Sequence, residues 1–320
     1  MTRVAVLGMG RWGKTWCNVL ARENFATVTA VAARSNAGEF ADSDFVVFPD
    51  YREALAAADV DAAIVTLPVP EHLDAVRLCV DRAIPVLCEK PLVSNPADLQ
   101  AMTELAASSS RPVRVNQNYR LREWAETTLR LLPRIGSLAS VQVTFAQPEF
   151  IGGGRERLRH PLLADMSIHH VDLLRYLTGE EMRVQNARAS RVPDARYAGD
   201  TDLSVSLRTD SGVEVRYDAT WAARAPATAW DGDWVFTGTD GELSVVDLVV
   251  SVSSQNGSES IPTRPPESDN DLGLAWQEFR RAIAADQHAG VSVEDNARSL
   301  QLIFDAATAA GVQRPGDLIP

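Results

Sequence analysis

The chain is poor in cysteine and in positive charge, and it has no apolar run of membrane-spanning length. Three cysteines, Cys17, Cys79 and Cys88, stand among 320 residues. An odd, sparse set builds no disulfide framework and reads as reduced, buried thiols of a cytoplasmic protein. Forty-three acidic residues against 31 basic ones leave a net charge of −12. An acidic surface disfavours nucleic acid and anionic membrane as partners. No stretch approaches the ~20 apolar residues that cross a bilayer. The first strand-like run starts at residue 3, so no secretory leader is expected. Asn256-Gly257-Ser258 has the form of a glycosylation acceptor, but Asn-Gly reads better as a hairpin turn. No internal repeat is present. What remains is a globular composition, 45% hydrophobic and 23% charged, of a length that suits about two domains.

The most informative stretch comes first. Val4-Ala5-Val6-Leu7 is wholly apolar, as in a strand buried on both faces of a parallel sheet. Gly8-Met9-Gly10-Arg11-Trp12-Gly13 follows at once. A helix with Trp16, Val19 and Leu20 on one stripe comes next, and then a second apolar strand, Thr27 to Ala33. This order puts the glycines where a dinucleotide pyrophosphate sits. Gly8 permits the tight turn, Gly10 the approach of backbone to phosphate, and Gly13 the packing of helix on strand. The helix N-terminus offers N–H groups and partial positive charge to the anion. Gly8, Gly10, Arg11, Trp12 and Gly13 are therefore expected around a dinucleotide. Where NAD-preferring sites carry an acid for the ribose, this protein has Arg34-Ser35. That pair suits a 2′-phosphate, so NADP is the preferred expectation; alternatively Arg34 stacks on adenine and NAD serves as well.

Alternation of strands and helices continues to about residue 118. Strands are expected at 62–66, 85–88 and 113–115, and helices at 51–58, 71–83 and 96–107, the last capped by Asn95 with Pro96 at its first position. The fold class is α/β, with an N-terminal doubly wound parallel (Rossmann) sheet. Beyond it, period-two alternation at 141–145, 184–189, 203–207, 213–217, 234–237 and 243–250 predicts an α+β domain with a large, mostly antiparallel sheet. Helices are expected at 123–132, 161–177, 272–286 and 293–310, and a loop at 251–271. The domains are thus 1–118 for the dinucleotide and 119–320 for substrate and oligomerisation. Trp221, Trp230 and Trp234 belong either to the core of the second domain or to a surface covered by a second copy.

Three places carry chemistry. Glu89-Lys90-Pro91 follows a parallel strand, at the sheet edge where ligands bind in such folds. Lys90 is a cation at the mouth of the cofactor cleft, unless it is a surface lysine in a turn. Asp165-Met166-Ser167-Ile168-His169-His170-Val171-Asp172 lies on a helix, where residues four apart share a face. Asp165 and His169 then project together, with Asp172 one turn on. A carboxylate beside an imidazole orients it and favours its protonated form, which makes the pair a general acid/base. A helix-face ion pair is the plain alternative. A zinc set of His169, His170, Asp165 and Asp172 is set aside, because His170 points away from His169; no metal is expected. Thr66-Leu67-Pro68 follows a strand, so Thr66 and Pro68 should line the cofactor cleft with His72 and Glu89, although a histidine near a helix start is more often structural.

Gly8 through Lys14, Pro68-Val69-Pro70-Glu71-His72, Cys88-Glu89-Lys90-Pro91, Asn118-Tyr119-Arg120, Ile135-Gly136-Ser137 and Asp165 through Gly179 stand in one order over residues 3 to about 180. In this the chain resembles the glucose–fructose oxidoreductase/inositol dehydrogenase (Gfo/Idh/MocA) family of NAD(P)-dependent oxidoreductases. The resemblance implies that Lys90 binds the reacting oxygen, that His169 is the acid/base, and that Asp165 supports both substrate and histidine. Tyr119 and Arg120 would join them in binding substrate. Ser167 stands where the family often has glycine, which bears on helix packing. The arginines 155, 157 and 159 either meet an anionic substrate or belong to a solvated loop. The expected activity is hydride transfer between a nicotinamide and a secondary alcohol or ketone of a sugar, cyclitol or related polyol. Redox-assisted elimination or glycoside cleavage with recycled NAD is an alternative, as is a non-catalytic cofactor-sensing regulator. A homodimer or homotetramer is expected.

Overall fold

The structure, a computed structural model, describes residues 1–22, 26–34, 37–40, 43–57, 59–151, 154–224, 226–265, 268–285, 289–312 and 318. β1 (Thr2–Leu7) is buried from Val4 to Leu7 because it lies between two parallel neighbours, β2 (Ala26–Ala32) and β4 (Ala62–Val65). β3 (Val46–Phe48) extends the sheet beyond β2; β5 (Val86–Cys88) and β6 (Val113–Val115) extend it beyond β4. The order β6-β5-β4-β1-β2-β3 is the doubly wound one, with the strand order reversing beside β1. The connections are α1 (Arg11–Arg22), α2 (Tyr51–Ala57), α3 (His72–Asp81) and α4 (Pro96–Ser108). The Asn95 side chain accepts from the Asp98 N–H at 2.9 Å and caps α4, as its sequence predicts.

α5 (Glu123–Leu131) opens the second unit, and α6 (Ser167–Thr178) is its central helix. Its strands are β7 (Leu138–Ala146), β8 (Met182–Ser190), β9 (Asp202–Thr209), β10 (Glu214–Thr220), β11 (Asp233–Gly238), β12 (Gly241–Val246), β13 (Val249–Ser254) and β14 (Gly257–Pro262). They form one eight-stranded sheet in the order β14-β13-β12-β11-β7-β10-β9-β8. Every pairing is antiparallel except β7 with β10. Val141, Val143, Phe145, Tyr217, Trp234 and Phe236 point to the covered face and are fully or almost fully buried. Each such large side chain contributes roughly 2–3 kcal/mol by leaving water.

Two sequence-based expectations change here. The run 243–250 is not one strand, and 251–271 is not one loop. Asp247 and Leu248 both take positive φ, 49° and 62°, and turn the backbone between β12 and β13. β13 then pairs with β14 across Asn256-Gly257, where Gly257 has φ 104°. β13 buries Val250 and Val252 in alternation, but β14 is serine-rich and exposed along most of its length, so period-two hydrophobicity is silent there.

The single boundary at 118/119 also changes. The protein forms one unit of residues 1–118 with 267–298 and another of 119–266 with 299–320. The reason is α7 (Ser268–Ile283), whose Leu272, Ala275, Trp276 and Phe279 are buried and which packs against α1. β15 (Val291–Ser292) then adds an antiparallel edge to β6. α8 (Val293–Ala309) begins in the first unit and ends in the second. Among the described residues, no helix is long and apolar enough to cross a membrane.

Candidate active site

The first unit carries the glycine turn. Gly8 has φ +106°, and a Cβ there would lie 2.7 Å from the Thr66 carbonyl oxygen. A Cβ on Gly13 would lie 1.9 Å from the Gly8 carbonyl, so turn and helix touch through bare backbone. Gly10 differs: nothing stands within 4 Å of where its Cβ would be. That open spot precedes the first turn of α1, which carries no acidic residue. An empty cradle at an acid-free helix N-terminus fits a dinucleotide pyrophosphate. Thr66 locks the turn, its hydroxyl donating to the Gly8 carbonyl at 2.6 Å. Pro68 opens the short helical turn that leads into α3. Arg11 and Trp12 lie on the solvent side, with the guanidinium 5.6 Å from the indole. Arg34, at the end of β2, is largely exposed and pairs with Glu71 at 2.6 Å. Ser35 lies outside the described residues.

Two expected cofactor ligands are internal braces instead. His72 is buried, with Nδ1 3.2 Å from the Leu92 carbonyl and Nε2 2.9 Å from the Leu67 carbonyl. Burial lowers its pKa, and the ring is wedged between the loop after β4 and the loop after β5, its one N–H in the neutral form donating to one of the two carbonyls. Glu89 is buried too; Trp16 Nε1 and Asn116 Nδ2 each donate to its carboxylate at 2.8 Å. Burial raises its pKa, against the pull of those two donors. The carboxylate thus ties α1 and the end of β6 to β5. The next residue is Lys90, partly buried at the carboxyl edge of the sheet.

The second unit carries the histidine. A wider, π-type turn at Leu162–Met166 runs into α6, a local distortion often found at functional sites. Asp165 sits in that turn and receives Arg155 Nε at 2.7 Å. His169, in the first turns of α6, is buried, and its ring stacks on Tyr119 with centroids 3.9 Å apart and planes 8° off parallel. Tyr119 is held in turn: the Arg122 guanidinium lies over its ring, and Trp230 Nε1 donates to its hydroxyl at 2.8 Å. Arg122 is paired with buried Asp231, which also accepts from Trp124 Nε1 at 2.6 Å. Sequence spacing gives no sign of Arg122 or Asp231, because their pairing joins segments more than a hundred residues apart.

Arg120 and Asp172 have other work than the sequence implies. Arg120 meets Asp172 through Nε and Nη2, both at 2.6 Å, and Ser299 donates to the same carboxylate at 2.8 Å. Arg120 is thereby anchored on Asp172, with 13% of its side chain exposed. Asp172 belongs to that ion pair. His170 is fully buried, with Nδ1 3.0 Å from the Tyr217 hydroxyl and its pKa pushed down to about 3 by burial, with Arg122 adding to the shift. It is a neutral core histidine. Trp221 and Trp234 are core as well, whereas Trp230 is 43% exposed. Among the described residues, no group of three or more His, Cys, Asp or Glu side chains is arranged to hold a metal ion.

Fold order and glycine cradle together define a dinucleotide-binding protein of the doubly wound class. Residues 2–117 match the family described as "Oxidoreductase family, NAD-binding Rossmann fold", and residues 133–244 match the "GFO/IDH/MocA C-terminal domain". The chain belongs to this Gfo/Idh/MocA family of NAD-dependent oxidoreductases. A D-apiose dehydrogenase of Paraburkholderia graminis is 25% identical over 85% of this chain and 73% of its own length. An inositol 2-dehydrogenase of Pseudarthrobacter chlorophenolicus is 30% identical over 62% of this chain and 61% of its own. Among solved structures, an Agrobacterium radiobacter oxidoreductase in complex with NAD+, L-tartaric acid and magnesium has the same fold, with a TM-score of 0.88, 18% identity and coverage of 98% of this chain and 97% of that one.

Proposed function

We propose that the protein interconverts a secondary alcohol and a ketone on a sugar or cyclitol, with Lys90 and His169 serving the reacting oxygen. The relatives that act on D-apiose and inositol, by their names, support the substrate class. The observation that carries the reading is Lys90. Lys14 and Lys90 are the only lysines among 31 basic residues, and Lys14 lies at the surface beside Glu39. A protein that otherwise uses arginine keeps a compact ammonium at the ligand-binding edge of its sheet. Such a point charge suits one oxygen, where a planar guanidinium suits a carboxylate or phosphate.

In oxidation, His169 takes the proton from the substrate hydroxyl, and the Lys90 ammonium holds the negative charge that develops on that oxygen. In reduction, His169 returns the proton. Asp165 supports substrate and histidine. A nicotinamide dinucleotide, when bound along Gly8–Gly13, supplies the two-electron acceptor or donor. Following nicotinamide absorbance with a panel of sugars and cyclitols tests this. Turnover is expected with at least one of them, and Lys90→Ala should raise KM and lower kcat together. Net turnover also separates this reading from recycled-cofactor chemistry. A wild type inactive on the whole panel would refute it.

For the cofactor we propose a preference for NADP(H), carried by Arg34. Its guanidinium is exposed and has only to leave Glu71 to meet a 2′-phosphate. Arg34→Ala is expected to weaken NADPH about tenfold relative to NADH. Tighter binding of NADH by the wild type, or a ratio of affinities unchanged by the substitution, would overturn this. We further propose a homo-oligomer joined through the eight-stranded sheet, whose uncovered face is polar at Gln142, Ser206 and Arg216. A monomer by light scattering at micromolar concentration would rule that out.

A further inference from the structure

We propose that Trp230 is the platform on which the ring of an uncharged cyclic polyol stacks, with Arg155 and Asp165 reading its hydroxyls. The inference rests on the polyol reading above and names the residue that selects the substrate's shape.

Trp230 is 43% exposed, yet its indole is fixed on several sides. Nε1 donates to Tyr119 Oη at 2.8 Å. The ring meets Trp221 at 5.6 Å and stands edge-on to Phe145 at 6.4 Å, and both of these are fully buried. A tryptophan left at a surface only by chance gains nothing from such fixing, whereas a binding platform must be held before its ligand arrives. Tyr119, which holds the indole, stacks on His169 with its ring face. One side chain therefore separates the exposed indole from the acid/base.

The polar edge is equally defined. The Arg155 guanidinium lies 4.4 Å from the Trp221 ring and 5.8 Å from the Trp230 ring, and Asp165 neutralises it. Donor and acceptor stand side by side with no net charge. A ring polyol presents a face of C–H groups, which packs on an indole, and a rim of hydroxyls, which both donate and accept. An anionic substrate would have to displace Asp165 from Arg155, and an acyclic polyol has no rigid apolar face to offer.

Steady-state kinetics on the whole enzyme with its nicotinamide cofactor test this, using myo-inositol, D-glucose and D-xylose against the acyclic polyols xylitol and D-sorbitol. With the ring polyol that is turned over best, Trp230→Ala should raise KM about 10- to 100-fold while kcat stays within about threefold. Trp230→Phe, which keeps an aromatic face but loses the bond to Tyr119, should recover most of the loss. Acyclic polyols should have kcat/KM at least about tenfold below the ring compounds. An unchanged KM in Trp230→Ala, or equal use of acyclic polyols, would overturn the platform and leave the polyol reading standing. A wild type that turns over none of the five would overturn both. Because the indole is half in water, the Ala variant should melt within a few degrees of wild type; should it not fold, the Phe variant and the ring preference still decide.

Discussion

His169→Ala should lower kcat by about 10²–10⁴, the range typical of losing a positioned acid/base. Three features support so large an effect. The ring is buried and stacked on Tyr119, so its orientation is set before substrate arrives. Its position, at the start of α6 after the π-type turn, is fixed by the helix and not by a mobile loop. Its neighbour in sequence, His170, is sealed against Tyr217 and held neutral, so it is no substitute. Cofactor affinity should change little, because the glycine cradle lies in the other unit. Oxidation of an alcohol needs the base form, so the wild-type rate should climb with pH along an acid limb, and the variant should lose that limb. A purely structural role for the stacked ring makes a different pattern: melting temperature falls, kcat per folded molecule holds, and the pH profile keeps its shape. His169→Asn, which preserves a polar side chain of similar size, should be as inactive as the alanine variant.

The part of this molecule legible in its sequence is the part built from local signals. Strand, glycine turn, helix and strand succeed one another within the first 32 residues, and each packs against the next. The alternating strands β7, β9, β10 and β11 show their buried faces residue by residue. Asn95 announces its helix because a cap acts on its own N–H groups. What escaped was set by distant partners. Nothing local says that Trp276 and Phe279 on α7 belong with α1 and not with the sheet of the second unit. A two-residue strand such as β15 has no periodicity at all. In the site, Asp172 reads as one member of a polar helix face until Arg120 and Ser299 are seen to close on it. His72 and Glu89 read as cleft residues because they lie near one in sequence, but burial turned them inward. Trp221, Trp230 and Trp234 are alike on paper; only packing separates two core residues from one half-exposed indole.

Gly10→Val should weaken dinucleotide binding by about a hundredfold or more and leave the fold nearly untouched. The three glycines of the turn are equivalent as letters but not as atoms. At Gly13 an added Cβ would sit 1.9 Å from the Gly8 carbonyl, and at Gly8 2.7 Å from that of Thr66 in a backbone with φ +106°. Both neighbours are main chain, which yields only by moving strand against helix. Gly13→Ala should therefore destabilise by about 1–3 kcal/mol, as overpacking does, and its loss of cofactor will be mixed with loss of structure. At Gly10 no atom lies within 4 Å, and the φ is one that a side chain accepts. An added Cβ there meets no other part of the protein. It fills the space in front of the α1 N-terminus, where the pyrophosphate needs the backbone N–H groups within hydrogen-bond reach. Losing two hydrogen bonds to the charged pyrophosphate, each about 1.5–3 kcal/mol, costs about a hundredfold or more in affinity. Calorimetric titration with NADH and NADPH, paired with melting curves, reads the two effects separately. If Gly10→Val bound both cofactors as wild type does, the pyrophosphate would not sit on this turn. If instead it melted as far below wild type as Gly13→Ala, the open space at Gly10 would be a place the fold needs and not a cradle for the ligand.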